Sequence, residues 1–354
     1  MNVRYLKYLL ALSLPMLASV SFMADGWLTL LPLLYFYGIV PSLELILRPD
    51  PKNLSDTETE MRRVDPIYDY LLYLIVPIQY GFLFWFLLVI SQPDLSWVTI
   101  VGRVTAMGLM CGSFGINVAH ELGHRSTKHE QWMSKALLLT SLYMHFFIEH
   151  NRGHHRNVGT PDDPATARKG EWLHTFLIRS TLYSYLSAWK IELAMLRRKG
   201  IHPLSPRNEM LRFLVIQVAL VGGIALLFSP TAMVYFLSAA GIGIFLLETV
   251  NYVEHYGLVR HEVSPGKYER TMPHHSWNSD HILGRLMLFE LSRHSDHHFI
   301  ASKKYQVLEH YDDSPQMPTG YPGMIVLACF PPLWFLVMDP RVERWNRQAD
   351  AIAA

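Results

Sequence analysis

Histidine is the residue type whose number and spacing point to chemistry in this chain. There are 18 histidines, and half of them lie in four short segments that each contain an acidic residue. Imidazole is a common ligand of zinc, copper, iron and nickel, so this crowding predicts a metal site. The nine candidate ligands are His120, His124, His150, His154, His155, His255, His294, His297 and His298.

The spacing within these segments is typical of imidazoles that share one face of an α-helix. Two segments contain a pair of histidines four residues apart, and residues at this separation are neighbours on a helix surface. The pairs are His120 with His124 and His150 with His154, and His294, His297 and His298 follow an i, i+3, i+4 pattern. A single histidine is usually a hydrogen-bonded core residue, but three such clusters together favour metal ligation.

Nine imidazoles exceed the four positions of a tetrahedral zinc site and predict two metal ions with open or exchangeable positions. Ligand type alone leaves the choice of metal open. Neighbouring polar groups are predicted to accept hydrogen bonds from the free N–H groups of the ligand rings and so orient them, or to relay protons. These candidates are Glu121, Glu149, Glu254, Asp296, His274 and His275.

The histidine segments lie between long apolar stretches, which must position them. Of all residues, 50% are hydrophobic and only 17% are charged. A membrane span needs about 20 mostly apolar residues. Six stretches satisfy this, at about 5–24, 27–47, 70–91, 95–119, 212–229 and 231–252. We therefore predict an all-α integral membrane protein with one domain over residues 1–354. Residues 120–211 and 253–354 form its cytoplasmic helical cap, which carries the dimetal site.

Positive charge gives the predicted orientation. Lys and Arg residues outside the spans fall on the side of Arg4 and Arg48, and this asymmetry predicts that both termini are cytoplasmic. Arg103 is the exception within the fourth span, where it either reaches the outer interface or pairs inside the bundle. The apolar run from Met324 to Met338 contains two prolines, and we interpret it as re-entrant or interfacial.

Composition excludes two other classes of site. A net charge of +1 provides no basic stripe to neutralise the phosphates of a nucleic acid. The two cysteines, Cys111 and Cys329, lie in apolar stretches and are too few for a disulfide framework or a four-thiolate site. We expect both to be small buried hydrophobic residues.

The histidine segments resemble the histidine-box superfamily of membrane desaturases and hydroxylases, and most closely the membrane-bound alkane 1-monooxygenases. The motif NYVEHYG is the most discriminating, because the other boxes alone leave acyl desaturases open. The motifs are HELGHR at 120–125, EHNRGHHRNVGTPDDPATAR at 149–168, NYVEHYGLVR at 251–260, PHHSWNSDH at 273–281, RHSDHH at 293–298 and PTGYPGM at 318–324. One departure is Ser292, where the family usually has Gln.

This resemblance implies a bacterial inner-membrane diiron enzyme of hydrocarbon degradation. It would hydroxylate medium-chain n-alkanes to 1-alkanols with O₂, and the nine histidines fall on the family's iron-binding positions. Electrons would come from rubredoxin and its reductase. Two cysteines do not supply the four thiolates of a rubredoxin, so this donor lies outside the present sequence.

Other functions remain open at this point. A related enzyme of the superfamily would act on aryl methyl groups, like xylene monooxygenase, or on acyl chains. A membrane metal sensor or carrier is the non-enzymatic alternative, although a carrier should place polar ligands in the middle of its spans. The aromatic block 35–37 in the second span suggests Phe36 as the ring that limits the length of a bound chain.

Overall fold

The computed structural model describes residues 3–353, with side chains described from residue 4 to residue 347. Almost all regular structure in this range is helical. The described range contains six helices that are long and apolar enough to cross a membrane, which confirms the predicted helical fold with six candidate spans. They are Arg4–Met23, Gly26–Glu44, Ile67–Ile90, Trp97–Gly123, Glu209–Leu227 and Pro230–His255.

The fourth and sixth of these spans extend beyond their predicted ends, to Gly123 and His255. His120 and His255 therefore lie on continuous helices. The apolar run at 324–338 is divided between two helices, and Pro331 begins the second of them, a position that proline favours. Whether this run is interfacial stays a prediction.

Shorter elements connect the spans. The remaining α-helices are Asp56–Val64, Lys128–Leu139, Phe146–Glu149, His155–Asn157, Leu173–Arg198, Ile282–Met287, His294–Phe299, Tyr321–Ala328 and Pro331–Ala353. Two 3₁₀ turns lie at Pro273–His275 and Tyr305–Val307, and the strands Glu262–Ser264 and Lys267–Tyr268 form an antiparallel hairpin.

Within residues 3–353, three turns have π-helical rather than α-helical geometry: Tyr35–Ile39, Met110–Ile116 and His150–His154. A π-turn accommodates one extra residue within a helix and is frequent at functional sites. One of the three coincides with a histidine segment, and another contains Phe36.

The chain forms two compact units, each assembled from three stretches of sequence. The first contains residues up to Gly38, Asp65–Glu149 and Tyr185–Leu247, and the second contains Ile39–Val64, His150–Ser184 and the residues from Glu248 onward. The interpretation of residues 1–354 as one domain stays a prediction.

Close helix packing organises the first unit. A Cβ atom added to Gly108 would lie 2.5 Å from the side chain of Ile242, and one added to Gly243 would lie 2.7 Å from that of Cys111. Small residues let membrane helices approach in this way. The approach buries Cys111, as predicted, whereas Cys329 is only half-buried, contrary to the prediction.

Arg103 is buried in the first unit, and its guanidinium is paired. It donates hydrogen bonds to the carbonyl oxygens of Val89 at 2.8 Å and Ala24 at 3.1 Å, and it lies 3.2 Å from a carboxylate oxygen of Asp25. These partners lie near the short turns that connect neighbouring spans. The cation thus reaches the ends of the spans and is also neutralised there.

An aromatic core supports the second unit. The ring of Trp334 packs against Tyr252 and Tyr256, with centroids 5.1 and 5.2 Å apart. The indole N–H of Trp277 donates to the carbonyl oxygen of Tyr256 at 3.0 Å. These contacts surround the end of the sixth span and so fix the backbone that carries His255.

Candidate metal centre

Four histidine rings of the second unit converge on one point. Their candidate ligand atoms all lie within 4.8 Å of one another, and none of the side chains is more than 4% exposed. The Nε2 atoms of His255 and His294 are 3.3 Å apart. This four-ring group consists of His154, His255, His294 and His298.

Three further rings form a second set, the three-ring group of His150, His155 and His297. The Nε2 atom of His155 lies 3.0 Å from Nε2 of His150 and 3.1 Å from Nε2 of His297. Ring nitrogens this close are favourable only with a proton or a cation between them, because two lone pairs repel. The groups adjoin, since the stacked rings of His155 and His298 have centroids 4.4 Å apart.

The surroundings of the His298 ring nitrogens indicate whether these rings suit a metal ion. Neither of its ring nitrogens has a hydrogen-bond partner in the described part of the chain, although the side chain is only 4% exposed. Burial, followed by the neighbouring imidazoles, lowers the pKa of His298 well below its ordinary value. The neutral ring is the form that binds metals, and an all-nitrogen donor set suits a transition metal rather than Mg²⁺ or Ca²⁺. The residues therefore fit such an ion.

The grouping differs from the predicted pairs in one respect. His150 shares its group with His155, five residues away, while His154 belongs to the other group. The π-helical turn His150–His154 explains this, because its i to i+5 hydrogen bonds align residues that an α-helix would separate. In the α-helix His294–Phe299, His294 and His298 share a group at the predicted separation of four residues.

His120 and His124 lie in the first unit, at the end of the fourth span and directly after it. Their ring centroids are 5.0 Å apart. His120 is buried and His124 is half-buried. Their role as ligands stays a prediction.

Comparison with known proteins identifies the relatives of this chain. A family model described as fatty acid desaturase matches residues 95–328. "Alkane 1-monooxygenase 1" of Pseudomonas aeruginosa is 42% identical over 346 residues, which cover 96% of this chain and 90% of the relative. "Alkane 1-monooxygenase 1" of Alcanivorax borkumensis is 39% identical over 315 residues, covering 89% and 78%.

The chain belongs to the membrane-bound alkane 1-monooxygenase family.

It is therefore an oxidoreductase, and the six candidate spans fit a multi-pass membrane protein. A more distant relative is the hydroxylase component XylM of the xylene/toluene monooxygenase of Pseudomonas putida. It is 30% identical over 319 residues, which cover 86% of this chain and 80% of XylM.

One predicted carboxylate lies directly beside a ring of the four-ring group. An oxygen of Glu254 is 3.2 Å from Nε2 of His294, and its other oxygen accepts a hydrogen bond from the hydroxyl of Tyr321 at 2.6 Å. Glu254 and Tyr321 are both fully buried. Tyr321 belongs to the motif PTGYPGM, so the structure gives that motif a contact with the histidine site.

The other predicted carboxylates have different contacts. In the second unit, Asp296 lies 2.7 Å from the ammonium of Lys303 and accepts a hydrogen bond from Tyr311 at 3.2 Å. Burial raises the pKa of Asp296 despite the opposing effect of Lys303. In the first unit, Glu121 pairs with Arg125 at 2.7 Å and Glu149 accepts from Ser187 at 3.3 Å.

His274 and His275 lie outside both ring groups of the second unit. Nδ1 of His275 accepts a hydrogen bond from the amide of Met272 at 2.9 Å, and Nε2 lies 3.2 Å from Glu269. Burial, followed by the charge of His274, lowers the pKa of His275 to about 4. These contacts fit a neutral ring that fixes the loop.

Asp163 was missed by the sequence reasoning. Its Oδ2 atom is 2.9 Å from Nδ1 of His154, and its side chain is buried. Burial opposes ionisation, but His154 and Thr166 hold the pKa of Asp163 below its ordinary value. The available signal was the pair of aspartates in TPDDPAT, at 160–166, which shows no helical period.

Phe36 is 5% exposed in the first unit, and its ring contacts that of Tyr35 with centroids 5.3 Å apart. A groove of about 600 Å³ runs along the exposed face of the same span and is lined by Tyr37 and Gly38 but not by Phe36. Phe36 therefore points to the opposite, packed side. Its role in limiting chain length stays a prediction.

Proposed function

We propose that this protein hydroxylates the terminal carbon of medium-chain n-alkanes with O₂ and produces 1-alkanols. The nine histidines named above hold two iron ions in this proposal. Rubredoxin, with its reductase, supplies the electrons. The relatives named alkane 1-monooxygenase support the substrate class.

The convergence of ring nitrogens from different histidines is the observation that carries this proposal. Three contacts join Nε2 atoms of different histidines at 3.0 to 3.3 Å, and they fall in two adjoining groups. Two adjoining sets of nitrogen donors support two metal ions. A methyl C–H bond has no acidic proton or leaving group, so a redox metal must supply the oxygen chemistry.

The chain's own residues have three tasks in this reaction. The carboxylate of Glu254 lies against Nε2 of His294, the ring nitrogen that also faces Nε2 of His255, and the hydroxyl of Tyr321 fixes that carboxylate. Burial of all four rings of the four-ring group excludes bulk water. Apolar side chains of the spans bind the alkyl chain, because each buried methylene contributes about 0.8 kcal/mol.

We propose a bacterial inner membrane as the location, with both termini and the histidine segments on the cytoplasmic side. The one-sided distribution of Lys and Arg supports this orientation. Tagging each terminus with a reporter that is active only in the cytoplasm would test it. A signal from neither terminus would contradict the proposal.

We propose that exposed basic residues dock an acidic rubredoxin. They are Arg152, Arg156, Arg168 and Lys169 in the second unit, and Arg197 and Arg198 in the first. Arg168 and Lys169 also line a pocket of about 620 Å³ whose wall includes Asp163. Docking through these charges should weaken when salt is raised severalfold. A KM for rubredoxin that does not change with salt would indicate that these residues do not dock the electron donor.

A product assay tests the reaction itself. Purified protein in lipid, supplied with rubredoxin, its reductase and O₂, is given octane, toluene or an acyl substrate. Octan-1-ol as the main product supports the proposal. Benzyl alcohol as the main product would favour the aryl methyl chemistry suggested by the XylM relative, and an alkene would favour a desaturase. Metal bound without any product would point to a sensor or carrier.

Metal analysis of the same sample tests the cofactor. We expect about two iron atoms per chain. Stoichiometric zinc in a fully active preparation would overturn the iron assignment.

A further inference from the structure

The two carboxylate oxygens of Asp163 have different partners. Oδ1 accepts a hydrogen bond from the amide of Ala165 at 3.2 Å and so closes a turn of its own loop. Oδ2 faces Nδ1 of His154 at 2.9 Å and accepts from the hydroxyl of Thr166 at 2.5 Å. Thr166 is held in turn by the amide of Gly159, which donates to its hydroxyl at 2.9 Å.

This arrangement determines which nitrogen of His154 carries the hydrogen. Both oxygens of Asp163 already accept hydrogen bonds, from the Ala165 amide and the Thr166 hydroxyl, so the carboxylate acts as an acceptor and Nδ1 of His154 is the donor. The lone pair of the neutral ring then lies on Nε2. Because the ligand atoms of the four-ring group converge within 4.8 Å, a fixed tautomer and a fixed ring plane both favour ligation.

We propose that Asp163 is a positioning residue that holds His154 in the tautomer and orientation required for metal binding by the four-ring group. The inference rests on the proposed function, because it takes His154 as a ligand. Asp163 acts on the metal site through His154 and does not itself bind the metal. Thr166 supports it by fixing Oδ2.

The neighbouring residues provide matched controls. Asp162 has the same side chain one position earlier but is exposed, so Asp162→Asn should bind metal like wild type. Thr166→Val removes the supporting hydroxyl at nearly constant volume, whereas Thr166→Ser keeps a hydroxyl at this position. Asp163→Asn keeps the size of the side chain, but an amide cannot accept from both Ala165 and His154 through two oxygens.

The experiment is an anaerobic titration of the metal-free full-length protein with Fe²⁺, in competition with a chelator. The unfolding temperature of each metal-free variant is measured in parallel. For Asp163→Asn we expect one of the two bound irons to be weakened by about 10- to 100-fold, the range found when partners of metal-bound histidines are lost. The other iron and the unfolding temperature should stay near wild type. Thr166→Val should show a smaller loss at the same iron, and Thr166→Ser should restore it.

Unchanged affinity for both irons in Asp163→Asn would overturn the inference and leave the proposed function intact. A parallel loss of both irons and of unfolding temperature would also overturn it, because the residue would then be structural. If Asp163→Asn does not fold, the Thr166 pair decides, and equal binding by Val and Ser at this position would refute the proposal. A wild-type protein that binds no Fe²⁺ would refute the proposed function itself.

Discussion

Two histidine segments of the second unit achieve the same arrangement with different helix geometry. The segment HSDHH at 294–298 is α-helical, whereas HNRGHH at 150–155 contains one more residue and a π-helical turn. In both, the first and last rings share one group and the ring just before the last joins the other group. His297 and His154 are these exchanged rings. Each segment therefore contributes to both proposed metal positions.

The difference shows how one inserted residue can leave a site unchanged. In an α-helix, residues four apart share a face because each turn contains 3.6 residues. The i to i+5 hydrogen bonds of a π-turn widen the turn by one residue, so residues five apart take the same relation. Ring order, rather than a fixed spacing, is what the two segments have in common.

The largest expected effect is the loss of a ring from either segment. Replacing His150, His154, His294 or His298 by Ala should lower activity more than the roughly 100-fold that loss of an outer partner costs. Bound iron should fall with the spans still inserted. His174→Ala is the control, because this histidine is exposed and lies outside both groups. A variant such as His154→Ala that kept full activity and two irons would remove that residue from the site.

The sequence predicted the parts of this comparison that depend on composition and on regular periods. Six apolar stretches correspond to six candidate spans, and seven of the nine histidines singled out for their crowding lie in the two ring groups of the second unit. The π-turn was not predictable, since HNRGH also fits an α-helical pair with i, i+4 spacing. Asp163 was missed because a loop brings it to His154 across nine residues, and loops have no period to follow. Glu254 was recognised because it directly precedes a histidine on a helix.

Deletions in the π-turn test whether ring order is sufficient. Removing Asn151 converts HNRGHH to the spacing of HSDHH, so we expect both irons to be retained and kcat to fall by less than about tenfold. Removing Asn151 and Arg152 together rotates the later rings by roughly 100° and should release iron. Both outcomes are read from metal content per chain. Loss of iron in the single deletion would show that the π-turn has a role beyond spacing.

The carboxylate beside the α-helical segment should have an intermediate effect. Glu254→Gln changes the group beside His294, and we expect iron affinity at the four-ring group to fall about 10- to 100-fold. Tyr321→Phe removes only the hydroxyl that donates to Glu254, and leaving a buried oxygen without this partner costs about 1–3 kcal/mol. Chelator competition measures the iron affinity of both variants.

Tyr252→Phe is the matched control for Tyr321→Phe. This buried tyrosine donates to the carbonyl oxygen of Glu171 at 2.6 Å, so its hydroxyl has a partner away from the rings. Equal iron affinity in the two tyrosine variants would indicate that the contact between Tyr321 and Glu254 does not orient the site.

The smallest expected effect concerns a second of the three π-turns, Tyr35–Ile39, which contains Phe36. A terminal hydroxylase must hold one methyl group at its metals while the rest of the chain extends into an apolar cavity that ends at a wall. Each added methylene contributes about 0.8 kcal/mol to binding until the chain meets that wall, and overpacking then costs about 1–3 kcal/mol.

If Phe36 is the wall, Phe36→Ala should raise the ratio of long to short alkanes hydroxylated in competition. Room for two more methylenes should raise this ratio roughly tenfold. Iron content should not change, because Phe36 does not belong to either ring group of the second unit. Tyr37→Ala is the comparison, since Tyr37 lines the groove on the exposed face of the span. The same shift in both variants, or none in Phe36→Ala, would mean that the Phe36 ring only packs between helices and that the wall lies elsewhere.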